Sequence, residues 1–197
     1  MERKTDLIRE KFDAWAADWD ANGSPDNALL DFLLDKIPDL EKGPILDVAC
    51  GTGVITGKLA AKSGQPVLGM DLAPKMIEIA KEKYNHVPSI SFLTQDFYEY
   101  EGAPYQTIVI HNAYPHFLDV PALSKKAASL LCEGGTLAIL HSLGRKTLEH
   151  HHSGSASPIS FSLGTPRKEA ARFANEFTLL QADEGDSFYY FILRKRA

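Results

Sequence analysis

Apolar residues along this chain change period repeatedly, and the changes lay out its elements. Residues 5–20 set Leu7, Ile8, Phe12, Trp15 and Trp19 on one stripe among charged neighbours, a helical period. Asn22-Gly-Ser-Pro25 interrupts the stripe, residues 26–37 form a second amphipathic helix, and Pro38 ends it. Short apolar runs near 45–48, 66–70, 90–94, 105–111 and 135–141 then alternate with helical patterns near 54–62, 74–84 and 120–131. Such alternation predicts a doubly wound α/β fold, a mostly parallel sheet with helices on both faces. The connection between Asp96 and Pro104 is too short and turn-rich for a helix. After it come a Ser/Gly/His-rich loop at 142–158, a helix near 166–175 opened by Thr165-Pro166, and strands near 177–182 and 187–194.

The densest chemistry follows the first strand. Ile45-Leu-Asp-Val-Ala-Cys-Gly-Thr-Gly-Val54 reads as a buried strand that runs into an acidic, glycine-bearing turn with a helix beyond it. Gly51 and Gly53 let backbone approach a ligand closely, and the next helix offers unpaired N–H groups at the same place. The second strand ends in Asp71, 18 residues after Gly53, placed to accept from both hydroxyls of a ribose. Gly57 falls one residue late for the dinucleotide pattern G-x-G-x-x-G, and no G-x-x-x-x-G-K-[ST] element exists. A nucleoside without a pyrophosphate remains, and S-adenosylmethionine fits.

Asp47-Val-Ala-Cys-Gly-Thr-Gly53 resembles the first motif of the class I S-adenosylmethionine-dependent methyltransferases, with Ala49 where many members carry glycine. Asp71-Leu-Ala-Pro-Lys-Met76 resembles the family's ribose-binding segment, and Thr94-Gln-Asp96-Phe97 its third-strand motif. Tyr105 to Asn112, and Leu131 to His141 with its Gly-Gly turn, resemble the fourth and fifth strands. The resemblance covers most of the chain and implies a Rossmann-like, seven-stranded sheet that ends in an antiparallel C-terminal hairpin. It implies one methyltransferase domain over 1–197, with an N-terminal helical lid (1–44), a cofactor core (45–141) and a substrate-side remainder (142–197). It also implies cofactor contacts from Asp47, Ala49, Gly51 and Gly53, from Asp71 and Leu72 on the ribose, and from Met76, Asp96 and Phe97 on the adenine. His111 and Trp19 would reach the methionine end. The general shape is that of the bacterial small-molecule branch, and the Asn/Asp-Pro-Pro-Tyr signature of adenine- and glutamine-methylating relatives is missing.

Composition narrows the class. The chain has 197 residues and a net charge of −5, which argues against a nonspecific nucleic-acid binder. Arg194, Lys195 and Arg196 form a small basic group that reads as a solvated tail. No run approaches the ~20 apolar residues of a membrane span. Two cysteines, Cys50 and Cys132, and a charged N-terminus without an apolar secretory core point to a reducing cytoplasm. Both cysteines read as small packed side chains.

Seven histidines complete the inventory, and six of them (111, 116, 141, 150, 151 and 152) follow strands four and five, where ligands bind in an open sheet. Three readings apply. The rings line a polar pocket; or one of His111, His116 and His141 is a general base that takes the acceptor's proton; or three, with His116, His141 and His151 favoured, bind a divalent transition metal such as zinc. The expectation is a cytoplasmic enzyme that methylates a small-molecule acceptor, with no nucleic-acid or membrane partner. Its rival is a non-catalytic nucleoside- or metal-binding protein on the same fold.

Overall fold

The computed structural model describes residues 2–21, 26–102, 104–151 and 159–197. The expected break at residues 22–25, His152, and the side chains of His150 and His151 lie outside the described residues. The strands are β1 (Ile45–Val48), β2 (Val67–Asp71), β3 (Ile90–Thr94), β4 (Tyr105–His111), β5 (Leu131–His141), β6 (Phe177–Glu184) and β7 (Tyr189–Lys195). They form one sheet of order β3-β2-β1-β4-β5-β7-β6. The first five run parallel, and β7 lies antiparallel between β5 and β6. The expected doubly wound sheet with its C-terminal edge hairpin is the fold observed.

Helices cover both faces: α1 (Glu2–Trp15), α2 (Asn27–Leu34), α3 (Thr56–Ser63), α4 (Pro74–Tyr84), α5 (Val120–Leu130), α6 (Arg145–His151) and α7 (Pro166–Ala170). Strand alternation divides the core in two. On one face Leu46, Val48, Ile108, Ile110, Leu137, Ile139 and Phe191 pack with α5 and α7. On the other, Ile45, Val67, Val109, Ala138, Leu140 and Ile192 pack with α2 and α3. The sheet order reverses between β1 and β4, so a crevice opens beyond the carboxyl ends of those two strands.

Several expectations need correction. The first helix ends at Trp15 and continues as a 3-10 turn, Ala16–Asp18, rather than running to residue 20. Trp15 is 45% exposed and anchors no core, because it falls on the helix's outer side beneath Lys11. The stretch 142–158 is not all loop, since α6 occupies Arg145–His151. The helix near 166–175 shortens to α7 and a 3-10 turn, Ala171–Phe173. Strand β5 starts at Leu131, and the Gly-Gly turn lies inside it. Its register against β4 slips between Tyr105↔Leu131 and Thr107↔Thr136, and Gly134 (φ 65) absorbs the extra residues.

The C-terminal cations are not a solvated tail. Arg194 donates to the Gly134 carbonyl at 2.7 Å and to Asp39, and Lys195 donates to the Leu131 carbonyl at 2.7 Å. Arg196 donates to the carbonyls of Ala174 and Phe177, both at 3.1 Å. All three staple main-chain acceptors at the amino end of β5 and the start of β6. No helix among the described residues is long and apolar enough to cross a membrane.

Ala49 holds φ 56 in the turn after β1, a left-handed conformation that costs a non-glycine residue on the order of 1 kcal/mol. Ala49→Gly removes that strain but loosens the unfolded chain. We expect a net gain of about 0.5 kcal/mol, read as a higher Tm by scanning calorimetry. A lower Tm would mean that the Ala49 methyl's packing outweighs the strain.

Candidate active site

The turn after β1 is built for close approach. Gly51 (φ 55) and Gly53 (φ 80) hold left-handed backbone, and a Cβ on Gly53 would lie 2.9 Å from the Tyr84 ring. The Cys50 amide donates to the Met70 carbonyl, so the turn is tied to the end of β2. Asp71 ties it a second time: one carboxylate oxygen accepts from the Gly51 amide and the other from the Ala73 amide, each at 2.8 Å. Asp47 lies beneath the turn, 1% exposed, where Oδ2 accepts from the Thr56 hydroxyl at 2.6 Å and Oδ1 has no partner.

These two carboxylates form an acidic floor under the turn. Burial raises the Asp47 pKa to about 7, opposed by the Thr56 bond and reinforced by the charge of Asp71. Burial also raises Asp71, against the amide bonds that favour its charged form. Cys50, enclosed beside both, is pushed far up by burial first and by the two acids second. It is a packed thiol, as expected.

Beyond β2 and β3, Met76 is fully buried with Ala16 and Ala73, and Trp19 packs on this group. A Cβ on Gly51 would lie 3.6 Å from Trp19 Nε1 and 4.0 Å from the Met76 sulfur, so all three residues meet at the turn. Leu72 sits half-buried between Asp71 and Ala73. Asp96 accepts from the Tyr98 amide at 2.8 Å, and Phe97 is buried against Tyr98 and Phe117.

Beyond β4 and β5, the structure separates the histidines that the sequence groups together. His111 pairs with Leu140, so its side chain shares the face of Val109 and Leu140. His141 is one residue further on, buried on the opposite face with its ring edge-on to Tyr189 at 5.7 Å. Adjacent strands alone therefore do not bring these two rings together, because successive side chains point to opposite faces. His111 has an enclosed Nε2 without a partner, and burial lowers its pKa to about 4. Between the two strand ends, Asn112 (φ 55) and Ser142 bond reciprocally, Nδ2 to Oγ at 2.8 Å and amide to Oδ1 at 2.9 Å.

His116 follows in a 3-10 turn, Tyr114–His116. Its Nδ1 lies 2.9 Å from the Ile159 carbonyl, which only accepts, so Nδ1 carries the proton in the neutral ring. Phe12 of α1 meets the same ring edge-on at 5.2 Å. The His116, His141 and His151 trio cannot be assembled here, since the His151 side chain lies outside the described residues. Among the described residues, no group of three His, Cys, Asp or Glu side chains is placed to hold a metal.

Sequence reasoning missed two residues. Glu169, 5% exposed, accepts from the Tyr114 hydroxyl, the Gly164 amide and Arg172, and so locks the wall beyond β4. Asp20 accepts from the Thr52 hydroxyl and pairs with Lys83. Each is one acid among many in a charged helical stretch, and neither carries a local signal.

Comparison with known proteins now bears on this geometry. Residues 45–135 match the methyltransferase domain family. The 2-phytyl-1,4-naphtoquinone methyltransferase of Thermosynechococcus vestitus is 35% identical over 99 residues, 48% of this chain and 44% of that protein. The chain spans about half the length, or less, of the first curated relatives it matches. Among solved structures, a chain from the complex of a Haloferax volcanii methyltransferase with its activator superposes with a TM-score of 0.80 at 18% identity. That match covers 94% of this chain and 98% of that one. The magnesium protoporphyrin IX methyltransferase of Synechocystis, solved with S-adenosylhomocysteine, gives a TM-score of 0.69 at 18% identity over 98% and 99% of the two chains. At such identities the likeness is one of fold. Residues 45–135 thus belong to the methyltransferase domain family, and the sheet order is that of a Rossmann-like methyltransferase fold.

Proposed function

We propose that this protein transfers the methyl group of S-adenosylmethionine to a small-molecule acceptor. The observation that carries the reading is the Asp47–Asp71 floor. Two enclosed carboxylates whose proton affinity is raised by burial, Asp47 further by the charge of Asp71, make a poor site for an anionic nucleotide and a good one for a cationic nucleoside. S-adenosylmethionine brings a sulfonium and an ammonium. The ribose falls to Asp71 with Leu72, the adenine to Met76, Asp96 and Phe97, and the methionine end to Asp47, Ala49, Gly51, Gly53, Trp19 and His111. His111, neutral at pH 7, adds no positive charge beside the sulfonium.

When bound, the cofactor supplies an electrophilic methyl carbon; the chain's task is to position the acceptor, exclude water and take its proton. His116 is our leading base. The Ile159 carbonyl fixes its proton on Nδ1, which makes Nε2 the nitrogen that receives one. His111 and His141 stand as the other candidates. We expect His116→Ala to lower turnover at least ~100-fold while cofactor affinity stays within about threefold. Equal losses of turnover and affinity would make His116 structural.

The acidic net charge, and C-terminal cations committed to carbonyls, support a small acceptor over nucleic acid. Two free cysteines support a cytoplasmic setting. A metal at His116, His141 and His151 is the lesser reading, because the described residues supply no three-ligand group. The deciding experiment is calorimetry with S-adenosylmethionine and ATP on the untagged protein, followed by transfer of labelled methyl to an acceptor panel. Binding of the former and not the latter is expected. Failure to bind S-adenosylmethionine would sink the proposal.

A further inference from the structure

The N-terminal segment crosses the site from one end to the other. Phe12 meets His116 on the acceptor side, and the Asp13 carboxylate accepts from the Lys75 amide in the first turn of α4 at 3.0 Å. Ala16 packs on Ala73 and Met76, and Trp19 stands over Gly51. Asp20 closes the run. One of its oxygens accepts from the Thr52 hydroxyl at 2.7 Å and the other pairs with Lys83 at 2.7 Å. Lys83 in turn donates to the Thr52 carbonyl at 3.1 Å. Thr52 lies between the two glycines of the turn, so this triangle clamps Trp19 onto the loop.

The attachment is selective. Among the described residues the apolar cluster under the segment is small, with Ala16, Ala73 and Met76 buried and Phe12, Trp19 and Ile79 packed against them, and it is separate from the two cores on the sheet. The latch at the end of the segment is polar and partly exposed: the Lys83 and Asp20 side chains are 34% and 39% accessible. Burial alone would raise the Asp20 pKa, but the bonds from Lys83 and Thr52 outweigh it and hold the carboxyl below its ordinary value. The latch is therefore charged at neutral pH. Pairs this exposed shift an equilibrium by no more than a factor of a few. Such a tie is strong enough to bias the segment shut and weak enough to open often.

We propose that residues 12–20 are a strap over the cofactor loop, with Asp20 and Lys83 as positioning residues that set the rate at which cofactor enters and leaves. The strap rests on the S-adenosylmethionine reading above. It also joins the two halves of the site, because the segment that covers Gly51 is the one that touches His116.

The test is stopped-flow fluorescence of the full chain carrying Trp15→Phe, which leaves Trp19 as the reporter, mixed with S-adenosylhomocysteine. Lys83→Met and Asp20→Asn are expected to speed both association and dissociation about three- to tenfold, with a smaller change in Kd. Lys83→Arg should keep the slow exit. Added salt should hasten release from the parent and not from Lys83→Met. Unchanged rates in both variants, or Lys83→Arg as fast as Lys83→Met, would overturn the strap alone. A parent protein that binds no S-adenosylhomocysteine would overturn the cofactor reading, and the strap with it.

Discussion

Asp71→Ala is expected to weaken binding of S-adenosylmethionine by about a hundredfold or more. Hydrogen bonds to a charged acceptor are worth about 1.5–3 kcal/mol each, and the substitution removes those proposed for the ribose hydroxyls. It also removes the two bonds seen here, from the Gly51 and Ala73 amides, and so unties the glycine turn from the end of β2. The ligand loses its partner and the turn loses its shape together. Asp71→Asn should do less damage, because the amide oxygen still accepts one of those N–H groups. Calorimetric titration separates the outcomes. An alanine variant that binds within threefold of the parent would show that Asp71 serves the turn and not the nucleoside.

The second large effect is a pH dependence of stability that originates in Asp47. Its carboxyl is raised from 3.8 to about 7 by burial, against the Thr56 bond and with the charge of Asp71 behind it. In that range the folded protein holds a proton that the unfolded chain has released. The contribution is therefore complete below pH 3.8 and is lost as pH rises to about 7. Each tenfold change in proton affinity is worth about 1.4 kcal/mol, and the rise spans about three of them, so the loss reaches up to about 4 kcal/mol. Asp71, raised in the same direction, adds to the trend. Asp47→Asn cannot ionise and should lack this component. Its stability relative to the parent should improve steadily from pH 4 to pH 7 and level off above. Urea unfolding across that range checks it, and parallel profiles for the two proteins would reject the assignment. A cationic cofactor stabilises the ionised acids, so its binding near pH 6.5 should release protons.

The fold was legible because its signals are local. A four-residue run ending at Val48, apolar except for Asp47, then two glycines, then a helical period require a strand, a tight turn and a helix whatever surrounds them. Asp71 was legible for the same reason, as an acid that terminates the next such strand. The errors also have local causes. Trp15 and Trp19 fit one stripe, but the helix tightens into a 3-10 turn after Trp15, and only Trp19 turns inward. Arg194, Lys195 and Arg196 read as a free tail because the carbonyls they staple lie some twenty to sixty residues away.

By itself, then, the sequence determined the order of the elements, the parallel sheet and the acidic glycine turn on which the resemblance to the methyltransferases rests. Periodicity and turn chemistry act over a few residues and need no partner. Tertiary structure alone decided where His111 and His141 point, since the pairing of His111 with Leu140 leaves the two rings on opposite faces. It also decided that Glu169 locks Tyr114 and that Asp20 reaches Thr52. Each of these depends on register or approach between segments distant in the chain. A shift of one residue in strand pairing exchanges every side chain between faces, and nothing within either strand records which register its neighbour takes.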